Sequence, residues 1–272
     1  MIGKTLIFMV PLLIAAMGGL ITELAGVLNI ALEGMILAGA FAAVLAVDLT
    51  GSLTAGFIAA MAVSGLLAVL FSFTSLKLKG NIFVTGLAIN LITPPLIAMV
   101  SKLFYGSGGV IRLTADSLHL TTASAAVWVL FFTGSIWAIL KYTPLGLHIR
   151  TAGTDPDFLF SRGIRPERIQ SLVIIASGLL CGLSGAIISL KLGVFIPGIS
   201  AGKGWIALVA VYLGFKKPFP VLLACFIFAL AESLSDSAQG IIEIPANLIL
   251  SFPYFITITG LVLFSIIKNR QK

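Results

Sequence analysis

The chain is a succession of apolar blocks, each long enough to cross a bilayer as a helix, interrupted once by a long polar island over residues 141–168. At a rise of about 1.5 Å per residue, a helix needs about 20 residues to span the hydrocarbon core. The blocks place candidate spans at 5–22, 33–48, 54–75, 81–101, 123–140, 169–191, 196–214, 219–236 and 246–267. Of the 272 residues, 59% are hydrophobic and 10% charged, where a soluble domain carries roughly 25% charged residues. The expectation is an all-α integral membrane protein of about nine transmembrane helices, a single domain over residues 1–272. Lys4 gives only a minimal basic start, and Gly18 and Gly19 run into further apolar sequence. The N-terminus therefore does not read as a cleaved signal peptide.

A net charge of +7 would suggest nucleic acid in a soluble protein. Here the basic residues sit between apolar blocks and set orientation, because short loops rich in Lys and Arg stay on the cytoplasmic side. Lys77 and Lys79, the island with Lys141, Arg150, Arg162, Arg165 and Arg168, the pair Lys216 and Lys217, and the terminal Lys268, Arg270 and Lys272 all fall on one face. That arrangement puts the C-terminus in the cytoplasm and the N-terminus outside, with Lys102 and Arg112 as exceptions. The island is also large enough to fold into something a soluble partner can grip. Cys181 and Cys225 each lie inside an apolar block and are expected to pack there rather than pair.

Two segments break the regular pattern. Residues 193–204 read GVFIPGISAGKG, and the apolar stretch that follows, to Gly214, is about half the length of a crossing. Either the helix is broken or an extended segment completes the crossing. Residues 23–34 read ELAGVLNIALEG, again with polar residues and glycine at membrane depth. Non-helical backbone at that depth is tolerated only where protein buries it or where it lines a watery cavity. Interrupted segments in corresponding parts of two halves point to a transport pathway; the alternative is an ordinary pair of loops.

Polar side chains inside these blocks are the candidate pathway residues. Glu33 follows Asn29 by four residues, so on a helix the two share one face. An acid within a span costs about 2.5–3.5 kcal/mol on insertion scales. Glu33 therefore either lines a cavity or gate, or forms a structural hydrogen bond that pins a broken helix. Asn90 and Thr93, followed by Pro94 and Pro95, interrupt the fourth span, as a pathway wall or as packing. Phe195 and Trp205 bracket the second broken segment and are candidates to stack on a ring, against a plain core or lipid role. Glu232 and Asp236 sit near the outer end of the eighth span, to line a vestibule or to be solvated at the interface. Gly178, Gly182 and Ala186, and likewise Gly34, Ala38 and Ala42, offer close helix contact.

Catalytic signatures are missing. The run Ala201-Gly202-Lys203-Gly204 has the wrong spacing for a phosphate loop, and no zinc-protease, nucleophile-elbow or Cys/His cluster motif occurs. No cofactor or metal is expected, and His119 and His148 fall on opposite sides of the predicted membrane. A pathway, a partner-sized loop and no nucleotide site point to one subunit of a larger machine.

Three separated motifs resemble those of bacterial ABC-transporter permeases for nucleosides and simple sugars, within the broader branched-chain amino-acid and ribose permease group. Residues 18–35 are similar to that family's GvlNiglEGmm element, residues 143–164 to its TpfGlrlRavGenp loop ending in GI, and residues 200–208 to its saGrGfiaLa element. The resemblance covers nearly the whole chain and implies a type II-like importer permease in the bacterial cytoplasmic membrane, working by alternating access. It implies an ATP-binding subunit, a substrate-binding protein or lipoprotein, and a surrounding of membrane lipid, but no nucleic acid and no catalysis by this chain. The resemblance also places a coupling helix over residues 152–163, with Ala152, Gly153, Asp155, Pro156, Phe158, Arg162 and Gly163 as the ATPase-coupling residues. Asp155 is suited to cap a short helix that has Pro156 at its first position. Phe158-Leu159-Phe160 departs from the family, which more often has small residues there. Because the chain begins at the equivalent of the second span, it resembles the shorter of two sibling permeases, which implies a heterodimeric pore. The rival readings are a proton-coupled secondary transporter using Glu33 or Glu232, a membrane-embedded scaffold, and the same importer role with ribose, another sugar or a branched-chain amino acid as solute.

Overall fold

A computed structural model describes residues 2–113, 118–119 and 121–238. Its elements are α1 (Ile2–Leu24), α2 (Leu32–Thr50), α3 (Leu53–Ser72, continued by a π-helical turn Phe73–Lys77), α4 (Ile82–Tyr105), the two-residue strand β1 (Ile111–Arg112) and α5 (Thr122–Tyr142). There follow α6 (Pro144–Thr154), α7 (Pro156–Ser161), α8 (Pro166–Leu192), β2 (Val194–Phe195), α9 (Lys203–Leu213) and α10 (Pro218–Ala238). Among the described residues, seven helices are long and apolar enough to cross a membrane. The crossing expected at 196–214 is not a continuous helix: turns lead into α9, which has 11 residues. The span expected at 246–267 lies outside the described residues.

Helix α8 is the axis of the bundle. It runs antiparallel to α1, as two bonds near opposite ends show: Ser184 Oγ donates to the Pro11 carbonyl at 2.7 Å and Gln170 Nε2 to the Ala25 carbonyl at 3.1 Å. Small residues let α8 approach its neighbours closely, with Gly178 and Gly182 against Ser64, Ala68 and Ala60 of α3, and Gly185 against α2. α1, α2 and α8 are the buried centre, whereas α4 and α5 present Leu91, Leu103 and Leu130 outward, as a lipid-facing wall does.

Chain direction sorts the charges. Lys77, Lys79, Lys141, Arg150, Arg162, Arg165, Arg168, Lys216 and Lys217 lie at one end of the bundle, called here the basic end. At the far end Tyr105 Oη donates to Asp48 at 2.9 Å, and β1 pairs antiparallel with β2, Ile111 opposite Phe195. Local signals explain the starts of these helices: Asn81 caps α4 through the N–H groups of Phe83 and Val84, and Thr121 with Ser124 forms a capping box at α5.

Candidate functional site: a mid-depth junction tied to the basic-end loop

The two interrupted crossings meet near the middle of the bundle. After α1 ends at the basic end, residues 25–31 leave the helix and α2 starts only at Leu32. Asn29 is fully buried there, with Nδ2 donating to Ser177 Oγ at 3.1 Å, near the middle of α8, and Oδ1 accepting from the Ala31 N–H at 3.1 Å. Asn29 thus precedes α2 and does not share a helical face with Glu33, because the backbone between them is not yet helical. Asn90 completes the break from α4: its Nδ2 donates to the Ile30 carbonyl and its Oδ1 accepts from the Gly34 N–H, both at 2.8 Å. Those are the two groups that an unbroken helix would join to each other. The Asn90 carboxamide is inserted in place of that bond. Thr93 is buried on the same wall, its hydroxyl turned back to the Ile89 carbonyl at 2.7 Å, and α4 continues through Pro94 and Pro95.

The second interruption is held by the first. Glu33, in the first turn of α2, accepts from the Gly202 N–H through Oε1 at 2.9 Å and from the Gly204 N–H through Oε2 at 2.7 Å. These donors open α9, whose N-cap is a glycine with φ +74° and no side chain to offer. A helix start leaves orphan N–H groups and a partial positive charge, so a carboxylate from another helix satisfies both. Gly204 is required for this approach, since a Cβ there would lie 2.4 Å from the Glu33 nitrogen. Lys203, only 8% exposed, forms an ion pair with Glu232 of α10. The start of α9 is therefore gripped by one acid from α2 and another from α10.

Phe195 and Trp205 do not form one stacking site. Phe195 is buried in the core, edge-on to Phe41 at 5.3 Å between centroids, and Trp205 is exposed on the first turn of α9. Glu232 is committed to Lys203, and Asp236 approaches Lys4 at 3.7 Å. Sequence reasoning missed the Lys203 partnership, although a lone lysine beside an apolar block is itself a demand for an acid.

The basic-end loop folds as two helices, not as one over 152–163. Thr143 caps α6 through the Gly146 N–H at 3.2 Å; Asp155 caps α7 through the Phe158 N–H at 3.0 Å, with Pro156 as the first helical residue. Leu159 and Ala152 are buried anchors. Phe158 and Phe160 stand exposed, the Arg162 guanidinium lies 5.3 Å from the Phe158 ring centroid, and Gly163 turns the chain at φ +79°. Gly153 is the inward contact: a Cβ there would lie 2.2 Å from the Leu24 carbonyl oxygen and 2.8 Å from the Gly26 nitrogen. The loop thus rests directly on the end of α1, where the first broken segment begins. Gln170 holds Ala25 from α8, and Lys216 pairs with Glu23 at 2.7 Å from the turn after α9.

Comparison with known proteins agrees with this architecture. The chain is 28% identical to the guanosine ABC transporter permease protein NupQ of Bacillus subtilis, over 96% of this chain and 90% of the relative. It is 27% identical to the nucleoside ABC transporter permease protein NupC of Lactococcus lactis, over 97% and 91%. The permease protein TsgC13 of Haloferax volcanii, named for glucose, is 28% identical over 85% and 75%. A solved ABC transporter in an inward-facing conformation shares the fold, with a TM-score of 0.54 at 19% identity, over 97% of this chain and 85% of that one. The family described as branched-chain amino acid transport system, permease component, matches residues 1–266, and the chain belongs to that family of membrane permeases.

Proposed function

We propose that this chain is the membrane subunit of an ATP-driven importer for a nucleoside, with a simple sugar as the alternative solute, and that it works by alternating access. The observation that carries the mechanism is the seat of Gly153 on residues 24–26. A push on the exposed face of α7, with Phe158 and Arg162, reaches α1, the first break and then Glu33, which holds the start of α9. ATP hydrolysis belongs to a partner ATP-binding subunit in this reading. A substrate-binding protein supplies solute at the far end, and a sibling permease completes the pore. The basic end faces the cytoplasm of a bacterial cell, since Lys- and Arg-rich loops stay on that side. The names of NupQ and NupC favour a nucleoside, and that of TsgC13 favours a sugar. The proton-coupled alternative is disfavoured because Glu33 and Glu232 are already engaged by backbone donors and by Lys203.

Uptake of labelled guanosine, adenosine and ribose by cells with the gene deleted and then restored tests the solute. Loss and recovery of nucleoside uptake alone supports the reading; loss of ribose uptake alone moves the solute to sugars. Uptake that persists when every candidate ATP-binding subunit is removed overturns the importer assignment.

The loop makes a separate prediction, because its two faces differ. Gly153→Ala is expected to lower both transport and thermal stability, by about 1–3 kcal/mol, since an added methyl must displace backbone. Phe158→Ala removes an exposed ring and is expected to leave stability within about 0.5 kcal/mol while reducing transport-coupled ATP hydrolysis. Thermal unfolding of the purified chain beside ATPase assays of the assembled complex separates the two. Equal stability losses in both variants would refute the division of the loop into an inner and an outer face.

A further inference from the structure

At the basic end, a groove of about 850 Å³ runs between α3 and α8, and Phe160 of α7 reaches its rim. Its walls are mainly apolar and open, with Val69, Phe73 and Leu172 all exposed on them, and the lining serines Ser72 and Ser171 are bonded to each other at 2.9 Å. Its mouth is cationic. Lys77 stands at the end of α3, and Arg165 and Arg168 flank the start of α8, with Glu167 offsetting one of the three charges. Among the described residues none of these three cations is ion-paired. Arg168, Leu172 and Ile175 follow one another at helical spacing, so a single face of α8 passes from charge to hydrocarbon along the groove. The start of α8 adds to the positive field, because Arg165 as its N-cap makes no side-chain cap bond.

An apolar trough with cations at its mouth, located where a helix bundle leaves the hydrocarbon, matches a phospholipid whose headgroup is negative. We propose that this groove is a binding site for an anionic phospholipid, its phosphate held by Lys77, Arg165 and Arg168 and an acyl chain laid along Val69, Phe73 and Leu172. A free phosphate would satisfy the mouth but leave the apolar walls open, and a zwitterionic lipid would fill the walls but gain less at the mouth. The inference does not depend on which solute the chain moves. Because Phe160 belongs to α7, a seated lipid touches the loop that bears the exposed face.

Native mass spectrometry of the full chain, and of the chain assembled with its ATP-binding subunit, tests this by counting lipids retained from micelles doped with phosphatidylglycerol or phosphatidylcholine, or with inorganic phosphate added instead. Phosphatidylglycerol is expected to be retained preferentially in both samples, and inorganic phosphate is expected not to compete at equal concentration. Each of Lys77→Ala, Arg165→Ala and Arg168→Ala is expected to weaken retention by roughly fivefold. Leu172→Trp, which fills the groove without touching the charges, is expected to exclude both lipids and guards against a charge variant that fails to fold. Equal retention of the two lipids, unchanged retention in the variants, or displacement by inorganic phosphate would each overturn the site. Retention by the isolated chain that vanishes in the complex would assign the groove to a protein partner instead.

Discussion

Replacing Glu33 by leucine is expected to remove folded protein from the membrane together with transport. The carboxylate accepts from the N–H groups of Gly202 and Gly204, and leucine leaves both donors without a partner at mid-depth. An orphaned donor costs about 1–3 kcal/mol where it is buried, as at Gly204, and less at the partly buried Gly202, and the loss of a negative charge at the start of α9 adds to it. Glu33→Gln retains one acceptor oxygen and is expected to fall between the two, because its amide nitrogen cannot accept from the second N–H. The measurement is the amount and thermal midpoint of detergent-extracted protein, read beside uptake per folded molecule. Normal abundance and melting of Glu33→Leu with uptake abolished would mean that the acid acts on the solute, and the structural role would be withdrawn.

The second large effect is expected at Lys203. Lys203→Met leaves Glu232 charged and unpaired on α10, and breaking a buried pair by removing one partner costs about 3–5 kcal/mol. Glu232 retains partial exposure, which places the expected loss near the lower bound. The double variant Lys203→Met with Glu232→Leu is expected to recover most of that stability, since replacing both ions by apolar groups removes their desolvation as well as their attraction. A double-mutant cycle on thermal midpoints isolates the coupling between them. A single variant as stable as the parent, or a double variant no better than the single, would show that the pair does not hold α9.

Both predictions concern the same half-length helix, and its fragility has a physical origin. α9 has 11 residues and no side-chain cap of its own, so its first N–H groups depend on a carboxylate reaching in from another helix. Its two anchors come from α2, far away in sequence, and from α10, the next helix in the chain, so a movement of either is transmitted to it directly. The same logic applies at the basic end, where the α6 contact at Gly153 is backbone on backbone and has little slack to absorb displacement.

Much of this was legible before the structure. The apolar blocks announced most of the helices, with limits within a few residues of those observed, because burial in lipid demands long uninterrupted apolar runs. Glycine, proline and polar residues at 23–34 and 193–204 marked both interruptions. Asp155 and Pro156 signalled the start of α7 through local cap chemistry. Glu33 was legible as a residue that needs a partner, but not which partner, and its expected neighbour Asn29 was misplaced by assuming helix across a break. Phe195 and Trp205 look alike in sequence, yet one closes the core and the other is exposed, since the face of a short segment depends on what packs beside it.

The sequence by itself determined the class of protein, the extent of most helices, the basic face and the places where helical geometry fails, because hydropathy, charge and backbone propensity act over a few neighbouring residues. Only the tertiary structure decided what repairs those failures. Asn90 replaces a helical bond of another segment, Glu33 caps a helix about 170 residues away, Lys203 finds Glu232, and Gly153 sits on the end of α1. Such pairings follow from an unsatisfied group reaching whichever complementary atom the packed helices bring within about 3 Å, and that distance is a property of the assembled bundle rather than of any stretch of chain.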